Sequence, residues 1–296
     1  MLHKIRSNYI LRHISSYLNP KIYLLLYKYN KKLKKKLELT KKDFKAYNQI
    51  EIEIIPTELI KDKKNTIINY FVEEKEYYHL FIDDKELKRR NYFKRKENVK
   101  KIKVLIDMEI KSLMRLFLGC KYIKEINFVK FNRNNIENMN YLFCDCSNLI
   151  NINLSKMRTD NVKSMKSMFA NCNNLKELNL SNFNTSKVER MDEMFSGCGV
   201  LDLDLSSFNT SKVNEMSYMF CNCVKLKSLD VSSFITDRVF TMIYMFGYCY
   251  SLTDLDISNF YIDDNTYVKN MFSRCSIALK YKIQSQKKKL KSEAFH

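Results

Sequence analysis

The sequence predicts an α/β fold: a strand-helix solenoid of about seven to eight coils, each 25–26 residues long. Three observations carry this reading. Phenylalanine recurs at Phe117, Phe143, Phe169, Phe195, Phe220, Phe246 and Phe272, and a cysteine follows three residues after each, from Cys120 to Cys275. The interval is 26 residues except for one of 25, between Cys198 and Cys223. A fixed period of this size marks units that bury an apolar side only by stacking on a neighbour. Within one unit, Val188, Met191, Met194, Phe195 and Cys198 share one face at helical spacing. After the cysteine comes alternation, as in Leu178, Leu180 and Phe183 or Leu229, Val231 and Phe234, the pattern of a short strand with one buried face.

In chain order, residues 1–50 read as a basic helical module. Ile10, Leu11, Ile14 and Leu18 share one face of a helix over about 8–18; Pro20 opens a second, and Thr40, with Asp43 three residues on, caps a third. Residues 51–91 join this module to the repeats, with IEIEII alternating as a strand from Glu51 and EYYHLFID reading as another. The repeats occupy 92–283. Phe93, Val99, Ile102 and Val104 match Phe117, Ile123, Ile126 and Phe128, so the stretch reads as an eighth, degenerate coil whose charged FKRKENVKK closes the stack. In the regular repeats Asp160, Ser186, Ser211, Asp237 and Asp263 stand where a helix N-cap accepts a first-turn amide, and Ser186 with Glu189 completes a capping box. The residue before each repeat cysteine is Gly119, Asp145, Asn171, Gly197, Asn222, Tyr248 or Arg274; five of these seven are types that tolerate a left-handed stop. Residues 284–296 read as a basic polar tail.

The net charge of +19 is unevenly spread. Residues 1–50 hold thirteen basic and two acidic side chains, 85–103 ten and two, and 280–296 six and one, whereas 104–279 hold nineteen of each. The basic runs KKLKKK, KRRNYFKRK and KKKLK permit contact with nucleic acid or an anionic membrane, but no nucleic-acid-binding motif accompanies them, and charge runs are usually solvated faces. Specific nucleic-acid binding is therefore not the expected role. No apolar run reaches membrane-spanning or signal-peptide length, and nine cysteines without export point to reduced thiols in the cytoplasm or nucleus. With four glycines, no phosphate loop and no nucleophile elbow, the chain carries no expected enzymatic activity and no cofactor. The four histidines lie away from the cysteines and no CxxC pair exists, so no metal site is expected. Seven cysteines in register read as small buried hydrophobes, and Cys144 and Cys221, outside the register, as the more reactive thiols.

The outward strand positions are the candidate binding site. Asn127, Asn153, Asn179, Asp204, Asp230 and Asp256 occupy equivalent places, with Asp202 and Asp254 two residues before Asp204 and Asp256. Carboxylates on adjacent strands repel. Either the face receives a basic protein segment or a cation, or each side chain bonds to nearby backbone.

The repeats resemble the 26-residue leucine-rich-type repeats of BspA-like and mycoplasma surface proteins. The match lies in MFANCNNLKELNLSNFNTSKVERM, MFSGCGVLDLDLSSFNTSKVNEM and MFCNCVKLKSLDVSSFITDRVFTM, and covers about 104–279. The resemblance implies a right-handed, leucine-rich-repeat-like solenoid used for binding, with no enzymatic role; the chain is expected to be a monomeric protein-binding scaffold. The first fifty residues look like an F-box, through Ile10, Leu11, Ile14, Leu18 and Leu24 among other apolar positions, but lack its Leu-Pro and any tryptophan. That resemblance implies docking to a Skp1-like adaptor and substrate selection for a ubiquitin ligase; the alternative is that the module only caps the solenoid.

Overall fold

The computed structural model describes residues 48–58, 64–88, 90–94, 96–288 and 290–296, together with Lys31, Lys35, Lys45 and Ala46. The helices expected over 8–18, from Pro20 and from Thr40 lie outside the described residues. The fold is mixed α/β, mostly sheet with few helices.

Alternation makes the first strand. Ile50, Ile52 and Ile54 are fully buried, and the strand expected here is β1, Ile50–Pro56. β2 (Lys64–Thr66) pairs with β5 (Tyr92–Lys94). β3 (Tyr78–Ile82), within the expected EYYHLFID stretch, turns through Asp83 and Asp84, at φ 45° and 64°, into β4 (Lys85–Glu86). Two successive left-handed residues match the tight hairpin turn. With β6 (Ile102–Ile106), β7 (Ile123–Phe131) and β8 (Asn151–Asn153) these form one sheet of order β4-β3-β6-β1-β7-β8.

In that order β1 lies between β6 and β7, antiparallel to both. Residues 92–106 therefore do not stack on the next repeat as an eighth coil. The isoleucines of β1 supply the apolar row that such a coil would contribute, and the antiparallel pairing reverses the ladder's direction. Phe93 is still buried, but its ring meets Tyr122 edge-on, with centroids 5.0 Å apart, and does not join the phenylalanine stack.

Beyond β7 the chain repeats, and the expected helices are absent from the described repeats. The stretch from Met191 to Cys198 shows the reason. Its amides alternate: Met194, Ser196 and Cys198 donate three residues back within the repeat, to Met191, Glu193 and Phe195. Met191, Glu193, Phe195 and Gly197 donate to Glu215, Ser217, Met219 and Cys221 of the next repeat, at 2.8–3.1 Å. A helix would turn every amide along its own axis. Here Glu193 and Gly197 are left-handed (φ 59° and 66°), as are the equivalent residues of the other six repeats, and consecutive tight turns result. All seven residues before the cysteines are left-handed, as the sequence suggests for most of them, but they end turns, not helices. The proposed caps act differently too: Ser186 and Ser211 donate their amides and hydroxyls to the Asn184 and Asn209 side chains. Parallel bridges link Ser112, Asn138, Ser164, Arg190, Glu215, Thr241 and Tyr267 in register from repeat to repeat.

This register stacks the inward side chains. Phe117, Phe143, Phe169, Phe195, Phe220, Phe246 and Phe272 form a column of near-parallel buried rings with centroids 5.5–5.9 Å apart. Cys146, Cys172, Cys223, Cys249 and Cys275 donate their thiols to the phenylalanine carbonyl of the repeat before, at 3.0–3.2 Å. A second column is polar. Each buried threonine among Thr159, Thr185, Thr210 and Thr236 donates to a carbonyl of the next repeat and accepts the amide of the same residue; for Thr210 that residue is Ile235, at 2.9 and 2.7 Å. The 25-residue interval is absorbed just after Cys198, where Gly199 donates to the Cys172 carbonyl; a Cβ on Gly199 would lie 2.0 Å from the Asn173 carbonyl oxygen.

The far end is closed by the segment read as a polar tail. α1 (Ile277–Gln286) is capped by the Ser276 hydroxyl and buries Leu279 and Ile283. Gln286 then imitates a further repeat, accepting the Ile257 amide and donating to the Leu255 carbonyl. Lys287 and Lys291 donate to the carbonyls of Phe260 and Asp264, each at 2.7 Å. The 3-10 helix Ser292–Phe295 offers its Glu293 and Ala294 carbonyls to the amides of Asn270 and Phe272, and Phe295 adds a further ring to the column, 5.7 Å from Phe272. These lysines complete the last repeat's hydrogen bonds.

Thr210→Val keeps the shape of the side chain but strands a buried carbonyl and amide. A loss of about 1–3 kcal/mol in unfolding free energy is expected, measured by urea titration. Thr210→Ser, which keeps the hydroxyl, should lose less.

Candidate functional site

The sheet face forms because Leu203, Leu205, Leu229, Val231, Leu255 and Ile257 point inward, which turns the residues between them to solvent. β9 (Ser228–Leu229) and β10 (Asp254–Leu255) pair in parallel here. Asp202, Asp204, Asp230, Asp254 and Asp256 are all exposed and line one open hollow of about 550 Å³. Asn179, with Asp202 and Asp204, lines the neighbouring hollow, and Asn127 and Asn153 line a third with Glu53 and Glu125. The eight candidate residues thus lie along one face, grouped in three hollows.

Five of them share a local bond. Asn153, Asn179, Asp204, Asp230 and Asp256 each accept, through Oδ1, the amide of the serine two residues on, at 2.7–3.0 Å. This is the backbone-directed alternative considered for these side chains, and it is a tight asparagine/aspartate turn. Bonds from the Ser206 hydroxyl and amide hold the Asp204 carboxyl below its usual pKa. Asp230 is held low by Ser232 in the same way, although the charge of Asp204 pushes in the opposite direction. Asp256 is lowered by the Ser258 amide and hydroxyl, with smaller help from Lys282 and Lys287. Asp254 is paired with Lys282 of α1 at 2.8 Å. Repulsion along the row is therefore offset at one end by the closing segment.

A family model described as "Mycoplasma protein of unknown function, DUF285" matches residues 111–228 and 201–290. The chain belongs to the DUF285 family. That family is associated with BspA-like repeat proteins. No curated protein and no solved structure matches the chain.

Other expectations fare unevenly in this DUF285 chain. The adaptor-docking positions Ile10, Leu11, Ile14, Leu18 and Leu24 lie outside the described residues. Among the described residues no group of three histidine, cysteine, aspartate or glutamate side chains is arranged to hold a metal ion, and no helix is long and apolar enough to cross a membrane. Of the basic runs, Lys287 and Lys291 are occupied in closing the repeat stack, and Arg90 pairs with Glu97 at 2.7 Å. Cys144 and Cys221, read as the more reactive thiols, are buried like the register cysteines, with slightly more exposure than most of them; burial pushes them up to about 12 and about 11. Neighbouring Asp145 raises Cys144 further. The outward tyrosines went unremarked in the sequence: Tyr218 stacks on Tyr244 at 5.1 Å, where the same position in an earlier repeat is Tyr141, under Arg115 and Lys166. Their place in the repeat register, like that of the threonines at 25–26-residue intervals, is the signal that reveals them.

All nine cysteines are buried and free. A thiol whose pKa lies well above ambient pH presents almost no thiolate. In the folded protein at pH 8, a disulfide-exchange dye is expected to find no rapidly reacting thiol; after guanidinium denaturation it should count all nine.

Proposed function

We propose that this DUF285 chain is a non-enzymatic interaction scaffold, a right-handed solenoid whose sheet face receives a basic segment of a partner protein. One observation carries the reading. Asn153 and Asn179 make the same turn, to the serine two residues on, as Asp204, Asp230 and Asp256. The turn is thus satisfied by an amide, and the three carboxylates add negative charge that the local structure does not require. Parallel repeats space these charges regularly, and an extended repeated surface suits recognition of an extended ligand. Lys282 on Asp254 is an example within the chain of the pairing that a partner's lysine would make. Electrostatic complementarity of this kind acts on specificity and on the rate of encounter.

The test replaces Asp204, Asp230 and Asp256 together by asparagine, which retains the turns, and in a second variant by lysine. The probe is a fluorescent peptide of alternating lysine and glycine, titrated by anisotropy at two salt concentrations. The asparagine variant should bind about tenfold more weakly or worse, with a shallower salt dependence, and the lysine variant should not bind. Equal binding by wild type and both variants, with unchanged circular dichroism, rejects the proposal.

A further inference from the structure

A second surface lies at the opposite end of the described chain, along the outer edge of β3. Asp107 donates its amide to the Tyr77 carbonyl, and Asp83 donates to Lys101, at 2.9 and 3.0 Å. In an antiparallel pair this parity turns the backbone groups of residues 77, 79, 81 and 83 toward β6 and those of Tyr78, Leu80 and Ile82 away from it. β4 covers only the end of that outer edge, pairing with Phe81 and Ile82. Two further outer groups are also satisfied: the Leu80 carbonyl accepts from Leu87 at 2.7 Å, and the Tyr78 amide donates to Lys75. The Tyr78 carbonyl and the Leu80 amide remain, with no partner among the described residues. They flank His79, and a single residue of an added parallel strand would satisfy both, donating to the first and accepting from the second.

A hollow of about 670 Å³ lies where that strand would run. Tyr78, His79 and Leu80 line it from β3, Leu87 and Lys88 from one wall, and Tyr70 and Val72 from the other. Tyr70 stacks on Tyr78 at 5.5 Å, which holds the wall open beside the edge. Val72, which lines the hollow, is 83% exposed, and its chain neighbour Phe71 is 52% exposed. Glu73, Glu76 and Glu86 line the hollow together with Lys75, Lys88 and Arg90, so its charges balance.

We propose that this edge binds an extended segment of a partner protein, which joins the sheet as a strand beside β3. Main chain is the chemistry that matches an orphan carbonyl and an orphan amide two residues apart, and edge strands are templates for this mode of recognition. Alternate side chains of the segment would rest on Tyr70, Val72 and Leu87. This surface is independent of the acidic face.

The experiment selects from a displayed library of random dodecapeptides against the full-length protein, then follows the synthesised winner by anisotropy and by amide hydrogen exchange. In the free protein the Leu80 amide should exchange faster than those of His79 and Phe81, and bound peptide should slow it. N-methylation at one backbone position of the peptide, and Val72→Asp in the protein, should each weaken binding about tenfold or more, while asparagine at 204, 230 and 256 should leave it unchanged. The proposal is overturned by a selection that yields no binder, a Leu80 amide already protected without peptide, or a peptide indifferent to both Val72→Asp and N-methylation. It is equally overturned if the edge is closed by a second copy, seen as a dimer that forms without peptide and is lost in Val72→Asp.

Discussion

The cross-repeat hydrogen bonds made by alternate amides between Met191 and Gly197, and by their equivalents, set the spacing to which the rest of the repeats conform. Buried backbone groups must be paired. Sending one amide along the stack and the next back into its own turn pairs those from Glu193 to Cys198, with Glu193 and Gly197 left-handed. Glycine or asparagine accepts that conformation readily at one of the two positions in five of the seven turn pairs; the other two use Tyr141 with Asp145 and Tyr244 with Tyr248. Tyr141, Glu193, Tyr218 and Tyr244 do not accept it readily, and each such residue costs about 1–2 kcal/mol. Neighbours on both sides hold them there. The same spacing places phenylalanine rings at stacking distance, delivers each thiol to a carbonyl, and lets one threonine hydroxyl replace a missing backbone partner.

The period and the inward residues are legible in the sequence, because burial is what the repeat conserves within itself. The helix was a misreading with a physical cause. Consecutive tight turns bring residues at intervals of three and four to the same side, as a helix does, so Val188, Met191, Met194, Phe195 and Cys198 fit either structure. Threonine, being polar, gives no burial signal; the fold bonds its hydroxyl twice across the repeat boundary. The alternation of Ile50, Ile52 and Ile54 announces a strand but not its neighbours, since pairing depends on distant residues. For that reason the intrusion of β1 between β6 and β7, and the loss of an eighth coil, could not be read from residues 92–106.

Much of the candidate site was also legible. An outward asparagine or aspartate followed two residues later by serine recurs from Asn153 to Asp256, and this pairing of residue types is itself the signature of the turn they make. What the letters conceal is the role of the lysines near the end of the chain. Their charge suggested a solvated or polyanion-seeking tail, yet Lys287 and Lys291 serve as hydrogen-bond donors to carbonyls for which no further repeat exists. Charge counted along a sequence overstates what is available at a surface.

The missing residue after Cys198 shows how such an array tolerates errors of length. Gly199 lets the backbone cut the corner without moving Phe195 or Phe220 off their common axis. Slippage introduced at this bend is not transmitted: upstream and downstream repeats keep phase, as two stretches of track stay aligned across an expansion joint. The bend beyond the cysteine is therefore the natural place for a repeat protein of this kind to gain or shed residues during its evolution.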